Sequence, residues 1–322
     1  MSLWGLLLKP LGWAGLLVGF ASFGLYALLQ TVCGVWFRTQ NLKKRYNAQW
    51  ALVTGSSSGI GKSIAKKLAT QGLNVVLVAL QDDLLDSTFE ELSAAFPAVE
   101  FRKVGANLGQ PGYMAAIASA TADIDVQIVF ANAGYILSGF FYTRTAEQIR
   151  ANIECNALSA VHITHHFLKR MMDSNLKGCF VYTSSASAVL PSPFAVSYAS
   201  TKAFLSMFAI SLAPEVKWLG IDVLAVHPSP VASRFYDASA KIGMMEAFKK
   251  LAVGPDDLPD IIFASVGRTI WKDVGGVAWG FRLLEKTIDL NVLFTLAAPI
   301  MHLMPDFQQQ LRAEQERART AS

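Results

Sequence analysis

Three residues near the middle of the chain, Ser185, Tyr198 and Lys202, have the types and spacing needed to move a proton to or from an oxygen. Tyr198 and Lys202 are four positions apart in a helix-like stretch, so their side chains share one face. An ammonium beside a phenol favours the phenolate, which predicts a Tyr198 pKa below its ordinary value of about 10. Such a tyrosine can exchange a proton with an alcohol or a ketone. Ser185 follows a strand-like run and could hydrogen-bond the same oxygen.

A glycine-rich turn, TGSSSGIG, lies upstream at positions 54–61. It follows an apolar run at 50–53 and opens a pattern of apolar residues with helical spacing. Glycine permits the tight bend and the close approach of a pyrophosphate, and the helix N-terminus supplies N–H donors and a positive dipole end. The sequence therefore predicts a dinucleotide-binding loop formed by Gly55, Ser57, Ser58, Gly59, Ile60 and Gly61.

Strand-like and helix-like patterns alternate through the middle of the chain, and they would position these residues. The strand-like runs are 50–53, 74–80, 99–104, 126–131, 179–184 and 221–226, and the clearest helical patterns are 60–71, 146–173 and 198–219. The alternation predicts an α/β fold, a doubly wound parallel sheet with helices on both faces. Ligands bind such sheets at the carboxyl ends of the strands. The glycine turn, Asn132, Ser185 and Pro228 each follow a strand, so we expect them on one rim of the sheet. The sequence shows no pattern that predicts a seventh strand.

Three motifs together resemble those of the short-chain dehydrogenase/reductase family: the TGxxxGxG turn, Asn-Ala-Gly at 132–134 and Ser-Tyr-x-x-x-Lys at 197–202. The resemblance covers residues 50–233 and implies a Rossmann fold. It implies a fourth catalytic residue, Asn156, on the helix before the serine strand. It also implies cofactor contacts beyond the glycine turn, from Asn107, Asn132, Ala133, Gly134, Tyr198, Lys202, Pro228, Val231 and Ser233. The chain departs from the family pattern at Ser229 in place of glycine, Ser233 in place of threonine and Asn107 in place of aspartate.

The resemblance implies hydride transfer between a nicotinamide and a carbonyl carbon. Tyr198 would be the general acid in reduction, and Lys202 would lower its pKa and bind the nicotinamide ribose. Ser185 would polarise the carbonyl oxygen, and Asn156 would hold the site and a water relay. The Met- and Phe-rich segment at 235–253 corresponds to the family's mobile substrate lid, although its pattern fits a plain core helix equally well.

The choice between NAD and NADP is usually made at the end of the second strand. An acidic residue there pairs with the ribose hydroxyls and an arginine just beyond pairs with the 2′-phosphate, but this chain has Ala79 and Leu80. Contacts to the phosphate from Ser57, Ser58 or Lys62 would compete with an unfavourable Asp82. The resemblance favours NADP(H), and NAD(H) stays open.

The N-terminal region predicts a membrane anchor, because residues 11–37 carry no charge. As a helix with a rise of about 1.5 Å per residue this run would span about 40 Å, enough to cross a hydrocarbon core of about 30 Å with some tilt. A basic cluster follows, made of Arg38, Lys43, Lys44 and Arg45, which places the catalytic domain in the cytosol by the positive-inside tendency. The alternatives are a signal peptide, a helix buried in the domain and a re-entrant hairpin.

Composition argues against several other functions. A net charge of +4 without a Lys/Arg stripe argues against nucleic-acid binding, and three scattered cysteines fit a reducing compartment without a disulfide framework. His162, His165 and His166 have the spacing of metal ligands on a helix, but no Glu or Cys pattern completes a site, so no metal is predicted.

Three regions are therefore predicted. They are an anchor with a basic segment at 1–48, a catalytic domain at 49–287 with a lid around 232–255, and an apolar segment with a polar tail at 288–322. Within the last region, residues 290–304 are short for a crossing and contain Pro299, so an interfacial segment or a flap over an apolar channel is expected. The tail is expected to be a solvated helix or disordered.

The segments YNAQWALVTG, GLNVVLVA and the run from PSPFAVSYAS to WLGIDV resemble the membrane-bound very-long-chain 3-oxoacyl-CoA reductases and their 17-beta-hydroxysteroid dehydrogenase relatives. This implies reduction of a lipid keto group, most simply 3-oxoacyl-CoA in fatty-acid elongation, at the endoplasmic reticulum with the catalytic domain facing the cytosol. The family also implies a homodimer. A steroid or retinoid dehydrogenase and a 3-ketosphinganine reductase are alternative enzymes, and a non-catalytic membrane scaffold is the alternative from another class.

Overall fold

A parallel seven-stranded sheet in the order β3-β2-β1-β4-β5-β6-β7 forms the centre of the computed structural model, which describes residues 17–18, 20–32, 36–237 and 243–321. The strands are β1 (Trp50–Thr54), β2 (Asn74–Ala79), β3 (Phe101–Gly105), β4 (Val126–Ala131), β5 (Gly178–Thr183), β6 (Ile221–Pro228) and β7 (Trp271–Val274). The winding reverses between β1 and β4. Open parallel sheets bind ligands at such a reversal, outside the carboxyl ends of the strands.

Helices cover both faces of this sheet. They are α1 (Phe20–Val32), α2 (Leu42–Tyr46), α3 (Gly59–Thr70), α4 (Asp83–Ala95), α5 (Tyr113–Ala120), α6 (Ala146–Ile153), α7 (Ser159–Asp173), α8 (Val196–Val216), α9 (Gly243–Lys249), α10 (Leu258–Ser265), α11 (Gly276–Thr287), α12 (Leu290–Ala297) and α13 (Pro305–Ala321). Alternate residues of β1 enter different hydrophobic clusters, Ala51 and Val53 in one and Trp50 and Leu52 in the other. The central strands are thus buried on both faces, and their sequences are continuous apolar runs for this reason. The predicted doubly wound parallel sheet is confirmed.

Strand β7 is the seventh strand that the sequence does not reveal, because two of its four residues are charged. It pairs with β6, and Lys272 and Asp273 are only 5% and 3% exposed. Asp273 accepts hydrogen bonds from the indole N–H of Trp271 at 3.0 Å and from the phenol of Tyr26. Buried charges of this kind are tolerated when they are partnered.

The helix predicted at 146–173 forms without a gap in the chain but changes type in its middle. Helices α6 and α7 are separated by a π-helical turn at Glu154–Leu158, which a periodicity of 3.6 residues cannot reveal. Thr145 begins α6 with a capping box that involves Gln148.

Helix α1 is the described part of the predicted membrane anchor. It is shorter than a crossing requires, and one side of it packs on the edge of the sheet, where Gln30 donates to the carbonyl of Trp271 at 2.8 Å. Leu25 and Leu28 on its other side are exposed. Residues 1–16, 19 and 33–35, which include much of the predicted anchor, lie outside the described residues.

Among the described helices, one is long and apolar enough to cross a membrane, Val196–Leu219, but half of its apolar window is buried in the domain. A second candidate arises only if Leu290–Leu303 and Pro305–Glu316, which are bent by 51°, are taken as one span. The described residues therefore do not clearly show a transmembrane helix at the N-terminus.

The C-terminal tail is a helix, α13, whose first turns lie on the domain. The ring of Phe307 packs edge-to-face with Phe140 and Phe194, at centroid distances of 5.1 and 5.7 Å. Arg144 forms an ion pair with Glu314 at 3.8 Å. The exposed side chains of the preceding apolar segment include Leu296, Ile300 and Leu303.

Candidate active site

The glycine turn connects β1 to the start of α3. Gly59 has a φ of +52°, and a Cβ there would approach Ser233 at 3.2 Å; a Cβ at Gly61 would overlap the carbonyl oxygen of Gly55. Ser58 occupies the N-cap position without a side-chain hydrogen bond, and the first turn of α3 carries no acidic residue. The N–H groups in the first turn of α3 thus form an electropositive helix end without a side-chain cap, which suits a pyrophosphate.

A set of hydroxyl and amide groups ties the ends of the central strands together. The Thr54 hydroxyl accepts from the backbone N–H groups of Asn132 and Ala133, both at 2.9 Å. The Asn132 amide donates to the Thr54 carbonyl at 3.1 Å, and its oxygen accepts from Thr183 at 3.0 Å. Asn132 therefore ties the ends of three strands together, and it also lines the cavity.

Ser185, Tyr198 and Lys202 meet at the carboxyl end of β5. Lys202 reaches back from α8 and its Nζ donates to the carbonyl of Thr183 at 2.8 Å. The same Nζ lies 5.7 Å from the centre of the Tyr198 ring, and Ser185 hydrogen-bonds the Tyr198 hydroxyl. The structure thus brings the three residues of the predicted proton-transfer set into one cluster.

The structure corrects the expected pKa of Tyr198. Burial raises this pKa above its ordinary value, and the hydrogen bond from Ser185 opposes that effect without reversing it. Burial also lowers the pKa of Lys202 to about 8. The sequence-based expectation of a lowered tyrosine pKa is wrong for this structure, because removal from water disfavours the phenolate more than the Ser185 hydrogen bond favours it. At neutral pH Tyr198 is a protonated phenol, the form that a general acid needs.

Asn156 lies on the π-helical turn between α6 and α7. Its amide oxygen accepts from the N–H of Tyr135 at 2.9 Å, and its Nδ2 donates to the carbonyl of Tyr135 at 2.9 Å. A Cβ at Gly134 would approach both Asn156 Oδ1 and Lys202 Nζ, at 3.1 and 3.2 Å. The π turn therefore aims Asn156 at the loop after β4, beside the lysine.

The predicted lid segment lies over Tyr198. Phe235 and Tyr236 pack with Met245 against the tyrosine, whose ring is 5.9 Å from that of Phe235. Tyr198 is 7% exposed beneath them. Helix α9 forms the far side of this segment, and the backbone N–H of Gly243 donates to Asp306 at the start of α13, at 2.9 Å. Residues 238–242 of the predicted lid lie outside the described residues.

These elements enclose a cavity of about 490 Å³. Of the residues predicted to act in catalysis or cofactor binding, the lining contains Gly55, Ser57, Ser58, Gly59, Ile60, Asn107, Asn132, Ala133, Gly134, Ser185, Tyr198, Lys202, Pro228, Val231 and Ser233. Asn156 and Gly61 are not among the residues that line the cavity. A glycine cradle, an uncapped helix end and a lysine at the opposite end of one cavity fit a nicotinamide dinucleotide.

The end of the cavity near β2 carries neutral side chains and one carboxylate. Ala79, Leu80 and Asn107 line it with Asp82, whose side chain caps α4 by accepting from the N–H of Leu85 at 2.9 Å. Among the described lining residues the cations are Lys202 and Arg234, and both belong to the other end. The geometry accommodates a ribose here without either of the usual markers for NAD or NADP.

Several contributors escape sequence reasoning. Thr54 braces the loops through its hydroxyl, and Tyr135 and Tyr236 line the cavity. Thr54 begins the TGxxxGxG motif, so a signal for it exists, whereas the two tyrosines follow no spacing rule. On α7, His162 lies 2.7 Å from the Tyr113 hydroxyl, and the described residues contain no group of three or more His, Cys, Asp or Glu arranged for a metal.

Comparison with known proteins places the chain in a family. The family model described as short chain dehydrogenase matches residues 49–241. A very-long-chain 3-oxoacyl-CoA reductase-A from Danio rerio is 31% identical over 233 residues, 70% of this chain and 72% of that protein. A hydroxysteroid dehydrogenase-like protein 1 from Gallus gallus is 31% identical over 202 residues, 62% of this chain and 60% of that protein.

Solved structures show the same fold. A short-chain dehydrogenase from Sphingobium yanoikuyae in complex with NADPH has a TM-score of 0.62 at 27% identity, covering 70% of this chain and 87% of that one. A short chain dehydrogenase/reductase from Burkholderia phymatum in complex with NAD has a TM-score of 0.68 at 19% identity, covering 78% and 96%. This chain therefore belongs to the short-chain dehydrogenase/reductase family, and it is a Rossmann-fold oxidoreductase that acts on the CH–OH/C=O pair with a nicotinamide cofactor.

Proposed function

We propose that this protein is a membrane-associated reductase that converts the 3-keto group of a 3-oxoacyl-CoA to a hydroxyl group, with NADPH as the hydride donor. The observation that carries the proposal is the cluster of Ser185, Tyr198 and Lys202 on one cavity with the glycine turn of α3. The similarity to a protein named as a very-long-chain 3-oxoacyl-CoA reductase supports the choice of substrate class.

Each side chain has a task that follows from its surroundings. When bound, the cofactor supplies the hydride to the carbonyl carbon. Tyr198, a protonated phenol at neutral pH, donates its proton to the carbonyl oxygen, and Ser185 hydrogen-bonds that oxygen and the phenol. Lys202, held by the Thr183 carbonyl, is an ammonium below a pH of about 8 and stabilises the negative charge that develops on the phenol. Asn156 fixes the loop that carries Tyr135.

A lipid substrate suits the walls of the site. Phe235, Tyr236 and Met245 form an apolar cover over Tyr198, and the first two of them line the cavity. An acyl chain gains free energy when it leaves water for such a surface. We propose location on the cytosolic side of the endoplasmic reticulum membrane, with the uncharged run at 11–37 as the attachment.

We propose NADPH rather than NADH because Ala79 and Leu80 stand at the end of β2, where an acidic residue would repel a 2′-phosphate. Asp82, farther along, is the one carboxylate among the described lining residues at this end that opposes the choice. The carboxylate of Asp82 is engaged in capping α4. The Sphingobium yanoikuyae relative is in complex with NADPH.

A hydroxysteroid is the second substrate candidate, favoured by the hydroxysteroid dehydrogenase-like protein from Gallus gallus. Tyr198 would donate its proton in the same way, and a steroid instead of an acyl chain would bind beneath the apolar cover.

The test offers the purified full-length protein, in detergent or membranes, 3-oxoacyl-CoA, a ketosteroid and 3-ketosphinganine with NADPH or NADH. We expect oxidation of NADPH with 3-oxoacyl-CoA at the highest kcat/KM. Cofactor binding without oxidation by any of these substrates would contradict the reductase proposal and favour a scaffold.

A further inference from the structure

A chain of buried polar groups runs from helix α1, behind the sheet edge, to the backbone of the catalytic lysine. At its centre is His227 on β6, which is fully buried. Its Nε2 lies 2.8 Å from the hydroxyl of Ser206, one helical turn after Lys202 on α8. His227 follows no motif, and the proposed reaction gives it no task.

The chain continues from Ser206 to both ends of Lys202. The hydroxyls of Ser206 and Ser184 each lie 2.8 Å from the backbone carbonyl of Lys202, and they are 2.8 Å from one another. Ser184 directly follows Thr183, whose carbonyl accepts from Lys202 Nζ. The two serines thus clamp the lysine backbone to the strand end that holds its ammonium.

The number of protons available for hydrogen bonding explains why a histidine suits the position next to Ser206. Ser206 has one hydroxyl proton and three polar neighbours. A neutral imidazole can serve Ser206 in either tautomer. It donates from Nε2 and leaves that proton for Ser184 or the Lys202 carbonyl, or it accepts the proton at Nε2 and carries its own on Nδ1, beside Asp273. Burial lowers the pKa of His227 well below its ordinary value, so the ring is neutral at neutral pH.

The other side of His227 is held by β7 and α1. Its ring stacks on Trp271 at a centroid distance of 3.6 Å. Trp271 accepts from Gln30 through its carbonyl and donates to Asp273 through its indole, and Tyr26 donates to the same carboxylate. Asp273 also lies 3.9 Å from Nδ1 of His227. The guanidinium of Arg282 covers the rings of Trp271 and Tyr26.

We propose that His227 is a positioning residue for Lys202, acting through Ser206 and Ser184, and that helix α1 holds His227 in place through Tyr26, Trp271 and Asp273. The N-terminal helix would then be a working part of the catalytic domain as well as an attachment segment. The inference rests on the proposed function in that Lys202 acts in catalysis and binds the cofactor.

The first test compares His227→Phe with His227→Gln in the full-length protein. Phenylalanine keeps a flat ring on Trp271 but has no polar atom for Ser206, whereas glutamine places an amide that can donate or accept near the position of Nε2. We expect His227→Phe to lower kcat by about 10-fold and to weaken NADPH binding by about 3-fold, with KM for the oxo substrate unchanged. His227→Gln should restore most of both losses. Wild-type kcat and NADPH affinity in a folded His227→Phe variant would overturn the proposal.

The second test addresses α1. Tyr26→Phe removes only the hydroxyl that donates to Asp273. Thr31→Val, at an exposed position of the same helix, is its matched control. We expect Tyr26→Phe to lower kcat by about 3-fold, and we expect its loss to be smaller in the His227→Phe background, because residues in one network are not additive. Equal losses in both backgrounds, or a Thr31→Val variant as impaired as Tyr26→Phe, would overturn the link to α1.

The two failures are distinguishable. If the wild-type protein binds NADPH but turns over no substrate, the proposed function fails, and the NADPH affinities of the His227 variants still decide the inference. If the wild-type protein is active and the variants match it, only the inference fails.

Discussion

At the residue scale, the site depends on how burial acts on two groups of opposite charge type. Removal from water raises the pKa of Tyr198 and lowers that of Lys202 to about 8. The tyrosine is therefore kept as an acid over the whole neutral range. The lysine, by contrast, changes its charge within reach of ordinary assay conditions.

This difference predicts the pH dependence of reduction. Lys202 is an ammonium below a pH of about 8 and neutral above it, so we expect kcat/KM for reduction to fall as the pH rises through about 8. Tyr198 stays protonated in that range and does not contribute. The measurement is the rate of NADPH oxidation between pH 6 and about 10. Lys202→Arg should lose this dependence, because a guanidinium does not titrate there; a flat wild-type profile would contradict the assignment.

A second prediction at this scale concerns Gly61. Because a Cβ there would overlap the Gly55 carbonyl, Gly61→Ala must shift the turn that presents N–H groups to the cofactor. We expect NADPH binding to weaken by at least about 10-fold, the loss of one charge-assisted hydrogen bond. Gly280→Ala is the matched control, since no atom lies within 4 Å of its added Cβ, and it should raise the free energy of unfolding by about 0.5–1 kcal/mol. Equal NADPH affinities in both variants would refute the role of the turn.

At the element scale, sequence patterns reveal the elements that are periodic and miss those that are not. Strands β1, β4, β5 and β6 are readable because they are apolar and buried on both faces. The π turn that orients Asn156 is hidden inside a helical pattern, and β7 is hidden because Lys272 and Asp273 are buried with partners. The pKa of Tyr198 could not be predicted because it depends on the cover formed by residues distant in sequence.

The C-terminal helix carries the prediction at this scale. Phe307→Ala removes edge-to-face contacts with Phe140 and Phe194, so we expect the free energy of unfolding to fall by about 1–2 kcal/mol. The KM for a long-chain 3-oxoacyl-CoA should rise because α13 holds the lid segment through Asp306. NADPH affinity should be unchanged because no described residue of α13 lines the cavity. Thermal unfolding and steady-state kinetics measure these effects. Gln309→Ala, exposed on the same helix, should change neither; an unchanged KM in Phe307→Ala would separate α13 from the substrate site.

At the scale of the whole molecule, the surface carries apolar side chains in places that a solitary soluble domain does not require. Helix α1 exposes Leu25 and Leu28, and α8 exposes Phe204, Met207 and Ile210 along one side. The first set fits the proposed membrane attachment. The second set, three residues apart on one helix, fits the homodimer that the family resemblance implies.

The dimer prediction is tested by sedimentation of the full-length protein in detergent. We expect two protein chains per particle, and Met207→Lys should shift the population towards one chain because an isologous contact would bring two lysines together. Lys169→Met, on the neighbouring helix α7, is not expected to dissociate the particle. A wild-type protein that sediments as one chain would refute the homodimer.

The most direct test of the central claim is the turnover of Tyr198→Phe. This variant keeps the ring under Phe235 and the cavity, and it removes only the proton that Tyr198 gives to the carbonyl oxygen. The measurement is NADPH oxidation with 3-oxoacyl-CoA, together with the Kd for NADPH. We predict a fall in kcat of at least about 100-fold with an unchanged Kd. Turnover close to the wild-type rate would contradict proton transfer by Tyr198 and the mechanism built on it.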